Sequence, residues 1–410
     1  MSNNWKKNAT LFLASQTVSL FGSALVQYAI MWYITLNTQS GVMMTISIIC
    51  GFLPTFFLSP FAGVWADRYD RKKLIMLSDS LIAVSTLALA ILYLIGYDVL
   101  WLLFLMSAIR ALGTGIHTPA VSAFIPQLVP EDKLTKVNAA YSSIQSVVML
   151  LSPMASGALL TVASIESIFF IDVITAAIAV SILYIFLRVP VHAKAMNNQE
   201  ISYLDDMRKG FAYIKNHDYV RTFFLFMTVF MFLAAPVAFL TPLQVTRTFG
   251  NDVWRLTAIE ITFSIGMMAG GLLMASWGGF KNKVRTMVLS GVLMGVCTVA
   301  LGIVPVFWIY LLFMGLFGLA MPMFNTPSTV MLQQKVEGDF LGRVFGIFGM
   351  IASSMMPLGM LVFGPIADVI EIEWLLIGTG LLLLALGLVM LGNKVLIQAG
   401  QPSPSAEEKA

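Results

Sequence analysis

Three ionisable side chains stand inside long apolar runs, where their type and placement could move a charge. Arg110 follows Trp101 by nine residues. At 1.5 Å per helical residue this puts it roughly 13 Å into an apolar core about 30 Å thick. An arginine at that depth costs at least ~2.5 kcal/mol unless it faces water or a partner, so it marks a site. Asp172 and Glu260 lie within apolar runs of their own. Burial disfavours a carboxylate's charge and a nearby arginine favours it, so an acid whose partner moves can take up and release a proton. Arg110, Glu260 and Asp172 are therefore the expected proton-coupling residues, with a structural role as the competing reading for Asp172. Asp79, near the end of its run, reads as a structural acid.

The elements that position these residues follow from composition. Of 410 residues, 58% are hydrophobic and 11% charged, against about 25% charged in a soluble domain. The chain lacks the polar surface of a water-facing body, and its apolar runs must cross a bilayer as internally bonded helices. Charge and Pro/Gly punctuation place twelve spans, near 10–36, 41–66, 74–96, 100–123, 138–163 and 167–188, then 222–246, 255–279, 286–306, 308–332, 341–367 and 373–392. With both termini cytoplasmic, 21 of the 24 Lys and Arg residues fall on the inner side, a strong positive-inside bias.

The chain also repeats. His117-Thr118-Pro119-Ala120 is echoed by Asn325-Thr326-Pro327-Ser328, and Asp132-x-Leu134-x-Lys136-Val137 by Asp339-x-Leu341-x-Arg343-Val344, at nearly one offset. A repeat of six spans returns to the same side of the membrane, so the halves are parallel repeats that enclose a central cavity. The expected fold class is all-α integral membrane, with a six-helix half over 1–188, a cytoplasmic linker over 189–221, a second half over 222–393 and a disordered tail over 394–410. Within the linker, Tyr203, Leu204, Met207, Phe211 and Ile214 recur at helical spacing, the pattern of an amphipathic helix at the membrane surface.

Several function classes lack their residues. The sequence contains no Walker-type phosphate loop and no serine or cysteine nucleophile motif, and His117, His192 and His217 have no metal-ligand spacing. Cys50 and Cys297 stand in separate apolar runs and suggest no disulfide framework. An enzyme, a cofactor, a metal and a nucleic-acid partner are not expected. The net charge of +3 reflects membrane orientation rather than a polyanionic ligand.

The run Gly63-x-x-x-Asp67-Arg68-x-x-Arg71-Lys72-Lys73 resembles the loop between helices two and three of the major facilitator superfamily. The resemblance implies that Gly63, Asp67, Arg68, Arg71 and Lys72 form an inner gate motif, with Asp67 facing the helix start near Leu341 and Gly342. Arg110 with Gly113 and Gly115 resembles the family's helix-four arginine motif, the first glycine coming one position early. Ser152-Pro153-Met154-Ala155-Ser156-Gly157 is similar to the Gly-Pro-x-x-Gly-Gly motif of drug antiporters, so Ser152, Pro153, Ser156 and Gly157 are the helix-five candidates.

Ser15-Gln16-x-Val18-Ser19-Leu20, Gly51-Phe52-Leu53-Pro54 and the stretch from Ile109 to Ala120 look like bacterial macrolide-efflux proteins. That resemblance implies secondary active export of small amphipathic compounds in exchange for protons, by alternating access in the bacterial cytoplasmic membrane, as a monomer within the lipid bilayer. It implies a substrate cavity lined by Gln16, Gln27, Trp32, His117, Met231, Phe324 and Asn325. A siderophore or lipid exporter of the same fold, or a membrane sensor or assembly factor without transport, fits the same residues.

Overall fold

In hydrocarbon no water is available to bond backbone N–H and C=O groups, so each apolar run closes its own hydrogen bonds as a helix. The computed structural model describes residues 5–187 and 203–401. The first helices are α1 (Trp5–Thr38), α2 (Gly41–Arg68), α3 (Arg71–Leu94), α4 (Leu100–Leu128), α5 (Leu134–Val162) and α6 (Ile165–Ser181). A short helix α7 (Tyr203–Asn216) precedes α8 (Asp218–Phe239), α9 (Thr241–Thr248), α10 (Val253–Trp277), α11 (Lys283–Ile303), α12 (Phe307–Lys335), α13 (Gly338–Ile366), α14 (Ile372–Gly392) and α15 (Lys394–Ala399). Among the described residues there is no strand, and twelve segments are long and apolar enough to span a bilayer.

Some details differ from the sequence expectation. The seventh span is two helices, α8 and α9, meeting at Leu240. Pro242 opens α9, where its missing N–H leaves no bond unmade. Helix α6 ends in a π-helical turn over Ile182–Phe186. The tail expected to be disordered from 394 instead starts with helix α15, whose Asn393 side chain accepts from the Leu396 N–H; residues 402–410 lie outside the described residues. So do 188–202, the first part of the expected linker. In α7, Tyr213 and Ile214 are buried whereas Phe211, expected on the same stripe, is exposed. Tyr213 stacks on Phe340 at 4.5 Å, so this helix rests one face on protein.

The chain divides into two units, one of residues 1–38 and 46–201, the other of 39–45 and 202–410. The first turn of α2 thus groups with the second unit. Within the first unit α1 packs on α5 and α6, and α3 on α4 and α6. Within the second, α8 packs on α13 and α14, and α11 on α12 and α14, the same pairings in the same order. Matching helices agree in detail. α4 and α12 are each 29 residues long with prolines inside, Pro119 and Pro126 in one, Pro322 and Pro327 in the other. Asp70 caps α3 and Asn282 caps α11, each accepting backbone N–H groups of the first turn. Each half therefore encodes the same frame independently.

Side chains inside each unit interlock, as Phe12 does edge-on with Phe124 at 5.3 Å. Leu77, Val84, Leu272 and Trp308 are exposed. On a bilayer-spanning helix such positions meet lipid, which is as apolar as leucine, so helix association rests on packing and polar contacts.

Candidate functional site: two charge pairs in one half

The polar contacts of the first unit concentrate where α1, α3, α4 and α6 adjoin. Arg110 on α4 is 4% exposed. Its Nη1 donates to Asp172 Oδ2 at 2.5 Å and to Thr86 Oγ1 at 3.1 Å, and its Nη2 donates to the Ser23 carbonyl at 2.8 Å. Asp172 on α6 also accepts from the Thr86 hydroxyl at 3.1 Å and from the Ser23 hydroxyl at 3.4 Å. Both carboxylate oxygens and both terminal guanidinium nitrogens are thus engaged. A buried charge is tolerable when it is paired and bonded in this way. The arginine that apolar surroundings would penalise has its partner, and the partner comes from α6.

Two helical turns further along α4 lies His117, and two turns back along α3 from Thr86 lies Asp79. Seven residues separate the members in each helix, about 10 Å of rise. His117 Nε2 and Asp79 Oδ1 are 3.5 Å apart, and Asp79 Oδ1 accepts from the Ser19 hydroxyl at 3.1 Å. Asp79 Oδ2 and His117 Nε2 are buried without a hydrogen-bond partner. Both residues line a cavity of about 230 Å³, together with Ser19, Ser23, Thr114 and Tyr141. Ser23 belongs to both places: its backbone and hydroxyl serve the Arg110 pair, and it also lines the cavity.

The remaining expected residues are distributed differently. Arg110 itself does not line the cavity; of the two ways to offset its cost, water or a partner, the structure shows the partner, the Asp172 carboxylate. Glu260 on α10 is half-buried and has no hydrogen bond or ion pair among the described residues. Gln16 and Trp32 are fully buried, and the Gln16 amide and Trp32 Nε1 lack partners. Gln27 and Asn325 are exposed, and Met231 and Phe324 are buried. Phe324 lines a narrow apolar cleft of the second unit with Phe223, Met227, Phe230 and Gly291. Of the expected cavity set, His117 alone lines the polar cavity of the first unit.

In the loop motif, Arg71 donates to the carbonyls of Ala66 at 2.8 Å and Ala123 at 2.9 Å, and Lys72 Nζ to that of Leu187 at 2.7 Å. These cations tie helix ends of their own unit together. Gly63 is half-buried and Arg68 exposed; the Asp67 side chain lies outside the described residues. On α5, Ser152, Pro153, Ser156 and Gly157 are all buried, the two serine hydroxyls without partners, on a helix that packs against α1.

A second polar cluster, unforeseen in the sequence, belongs to the second unit. Asp368 accepts from the backbone N–H groups of Gly41 at 2.6 Å and Val42 at 2.9 Å, from Ser40 Oγ at 2.7 Å and from Arg247 Nη2 at 2.8 Å. Gln39 takes a left-handed conformation (φ 47°) and its carbonyl accepts from Arg247 at 2.5 Å. Burial raises the Asp368 carboxyl, but the bonds from Val42, Ser40, Gly41 and Arg247 outweigh it and hold it below the usual 3.8.

Twelve spans in two like-paired bundles, with an ion pair buried among them, are the build of a membrane transporter. The chain belongs to the Major Facilitator Superfamily, which its residues 12–360 match. It is 32% identical to macrolide efflux protein A of Streptococcus pyogenes over 94% of this chain and 96% of that one. It is 24% identical to the staphyloferrin A transporter of Staphylococcus aureus (strain NCTC 8325 / PS 47), over 88% and 90%. The solved structure of the nucleoside transporter NupG covers 95% of this chain and 99% of its own at a TM-score of 0.70 and 16% identity, a likeness of fold.

Proposed function

We propose that the chain exports small amphipathic compounds of the macrolide kind, driven by protons, by alternating access in a bacterial cytoplasmic membrane with both termini inside. The observation that carries the reading is the 32% identity to macrolide efflux protein A along almost the whole of both chains. The buried charge of the first unit supports proton drive, because ion pairs inside a membrane otherwise bring little net stability. The inner-side excess of Lys and Arg supports the orientation. One charge moved inward through 100 mV is worth ~2.3 kcal/mol, enough for about a fiftyfold gradient of a neutral substrate.

Expression in a host stripped of its own pumps, with a panel of macrolides and other amphipathic compounds, tests the reading. Raised tolerance that an uncoupler abolishes is the expected result. Uncoupler-insensitive tolerance would remove proton drive, and tolerance to no compound would remove export.

A further inference from the structure

The Arg110–Asp172 pair is closed: each partner holds the other, and Thr86 and Ser23 fill the remaining positions. The Asp79–His117 pair is open. Its two heteroatoms stand 3.5 Å apart, longer than a good hydrogen bond, and Asp79 Oδ2 and His117 Nε2 are both buried and unpartnered. Asp79 is 4% and His117 7% exposed, yet both border a cavity whose wall carries the hydroxyls of Ser19, Ser23, Thr114, Thr118, Ser122 and Tyr141. We infer that Asp79 and His117 form the proton-exchange pair of this transporter, with Arg110 and Asp172 as a fixed neighbouring ion pair.

The chemistry needs one proton and no other reactant. A proton from water enters along the hydroxyl-lined cavity and binds at His117 Nε2 or Asp79 Oδ2, cancelling the pair's single negative charge. When it leaves to water as hydronium the carboxylate and neutral imidazole are restored, and no other bond changes. The groups facing the pair are few. α1 presents the Ser19 and Ser23 hydroxyls, α5 presents Tyr141 and Gln145, α6 presents Asp172, which Arg110 occupies, and α4 presents Arg110 two turns from His117. Among the described residues no lysine or arginine pairs with Asp79 in competition with His117. Histidine is the side chain whose charge changes nearest neutral pH, and a carboxylate beside it couples the two titrations.

The inference rests on proton-driven export, and two measurements separate their fates. In the first, infrared difference spectra of the full-length protein in lipid are recorded between acid and neutral buffer, for the parent and for Asp79→Asn and His117→Gln. A carboxyl C=O band that changes between the two buffers, vanishes in Asp79→Asn and moves to a different pH in His117→Gln is expected. A parent band that survives unchanged in both variants overturns the inference whatever the protein transports.

In the second, proteoliposomes are assayed with radiolabelled erythromycin as the probe. Accumulation driven by an imposed pH gradient should fall about five- to a hundredfold in both variants, while exchange of erythromycin across vesicles without a gradient persists in Asp79→Asn, reporting that this variant folds and binds. Full pH-driven accumulation in both variants overturns the inference and leaves export standing. Loss of exchange in both variants assigns the pair to structure and also overturns it. A parent that neither exchanges nor accumulates the probe removes the macrolide reading, and the infrared result still decides the fate of the pair.

Discussion

The same place in the two halves carries opposite chemistry. Counted from the first residues of matching helices, Ser78 and Thr86 of α3 fall on Ser290 and Thr298 of α11, and all four are buried. On that count Asp79 falls on Gly291, Arg110 on Phe317, Asp172 on Thr379 and His117 on Phe324, next to the Asn325 that the repeated Thr-Pro motif aligns with it. Where the first unit has a polar cavity, the second has a cleft lined by phenylalanine and methionine, with Phe230 and Phe324 stacked at 4.0 Å. At these matched positions the small hydroxyl residues that let helices pack are common to both halves and the titratable ones belong to the first, while the second half's own acid, Glu260, lies on α10. At these positions the duplicated frame carries charged and polar groups in the first half and apolar ones in the second.

The hardest way to break this comparison is to remove the cation of the closed pair. Arg110→Ala leaves Asp172 buried and uncompensated and should cost about 3–5 kcal/mol, read as a lower thermal midpoint in detergent. Replacing both partners, with Arg110→Met and Asp172→Leu, should recover much of the loss. Transplanting the open pair comes next. Gly291→Asp with Phe324→His would place polar groups in the apolar cleft and should destabilise by about 2–3 kcal/mol, visible in the same melt.

Asp368 offers a control outside both places. Asp368→Ala removes the acceptor of two N–H groups at the start of α2 and should cost about 1–2 kcal/mol near neutral pH. Because the folded carboxyl sits below the usual 3.8, its contribution is complete above that value and is lost as pH falls through the lower folded value. The gap between the parent and Asp368→Ala melts should therefore close only in acid. The smallest expected effect is that of His117→Phe, which imports the residue type of the second half. With no close bond to lose at Nε2, it should cost about 1 kcal/mol or less. A loss as large as that of Arg110→Ala would make the open pair a structural device.

The twelve spans were legible because hydropathy and length depend only on local composition. The break at Leu240 was not, since apolar residues continue through it and Pro242 sits where either a kink or a new helix start would serve. Arg110 announced itself by its cost in hydrocarbon, but which acid it meets depends on helix packing that spacing along one chain does not report. The sequence nominated Glu260 ahead of Asp172, and it is Asp172 that the structure puts in contact. Asp79 and His117 are 38 positions apart on different helices, read separately as a structural acid and a cavity residue. A signal was present: each stands seven residues from a member of the Arg110 cluster, on helices that run antiparallel, so bringing Thr86 to Arg110 also brings Asp79 to His117.

Pro119 lies two residues beyond His117 in α4 and has no N–H to offer the carbonyl four positions earlier. With Pro126 further on, α4 has its ladder gaps at and beyond the imidazole, while the turn that carries Arg110 precedes both. Such gaps are where helices bend most readily, so the α4 residue that meets Asp79 sits at the pliable end of its helix and the one that meets Asp172 does not.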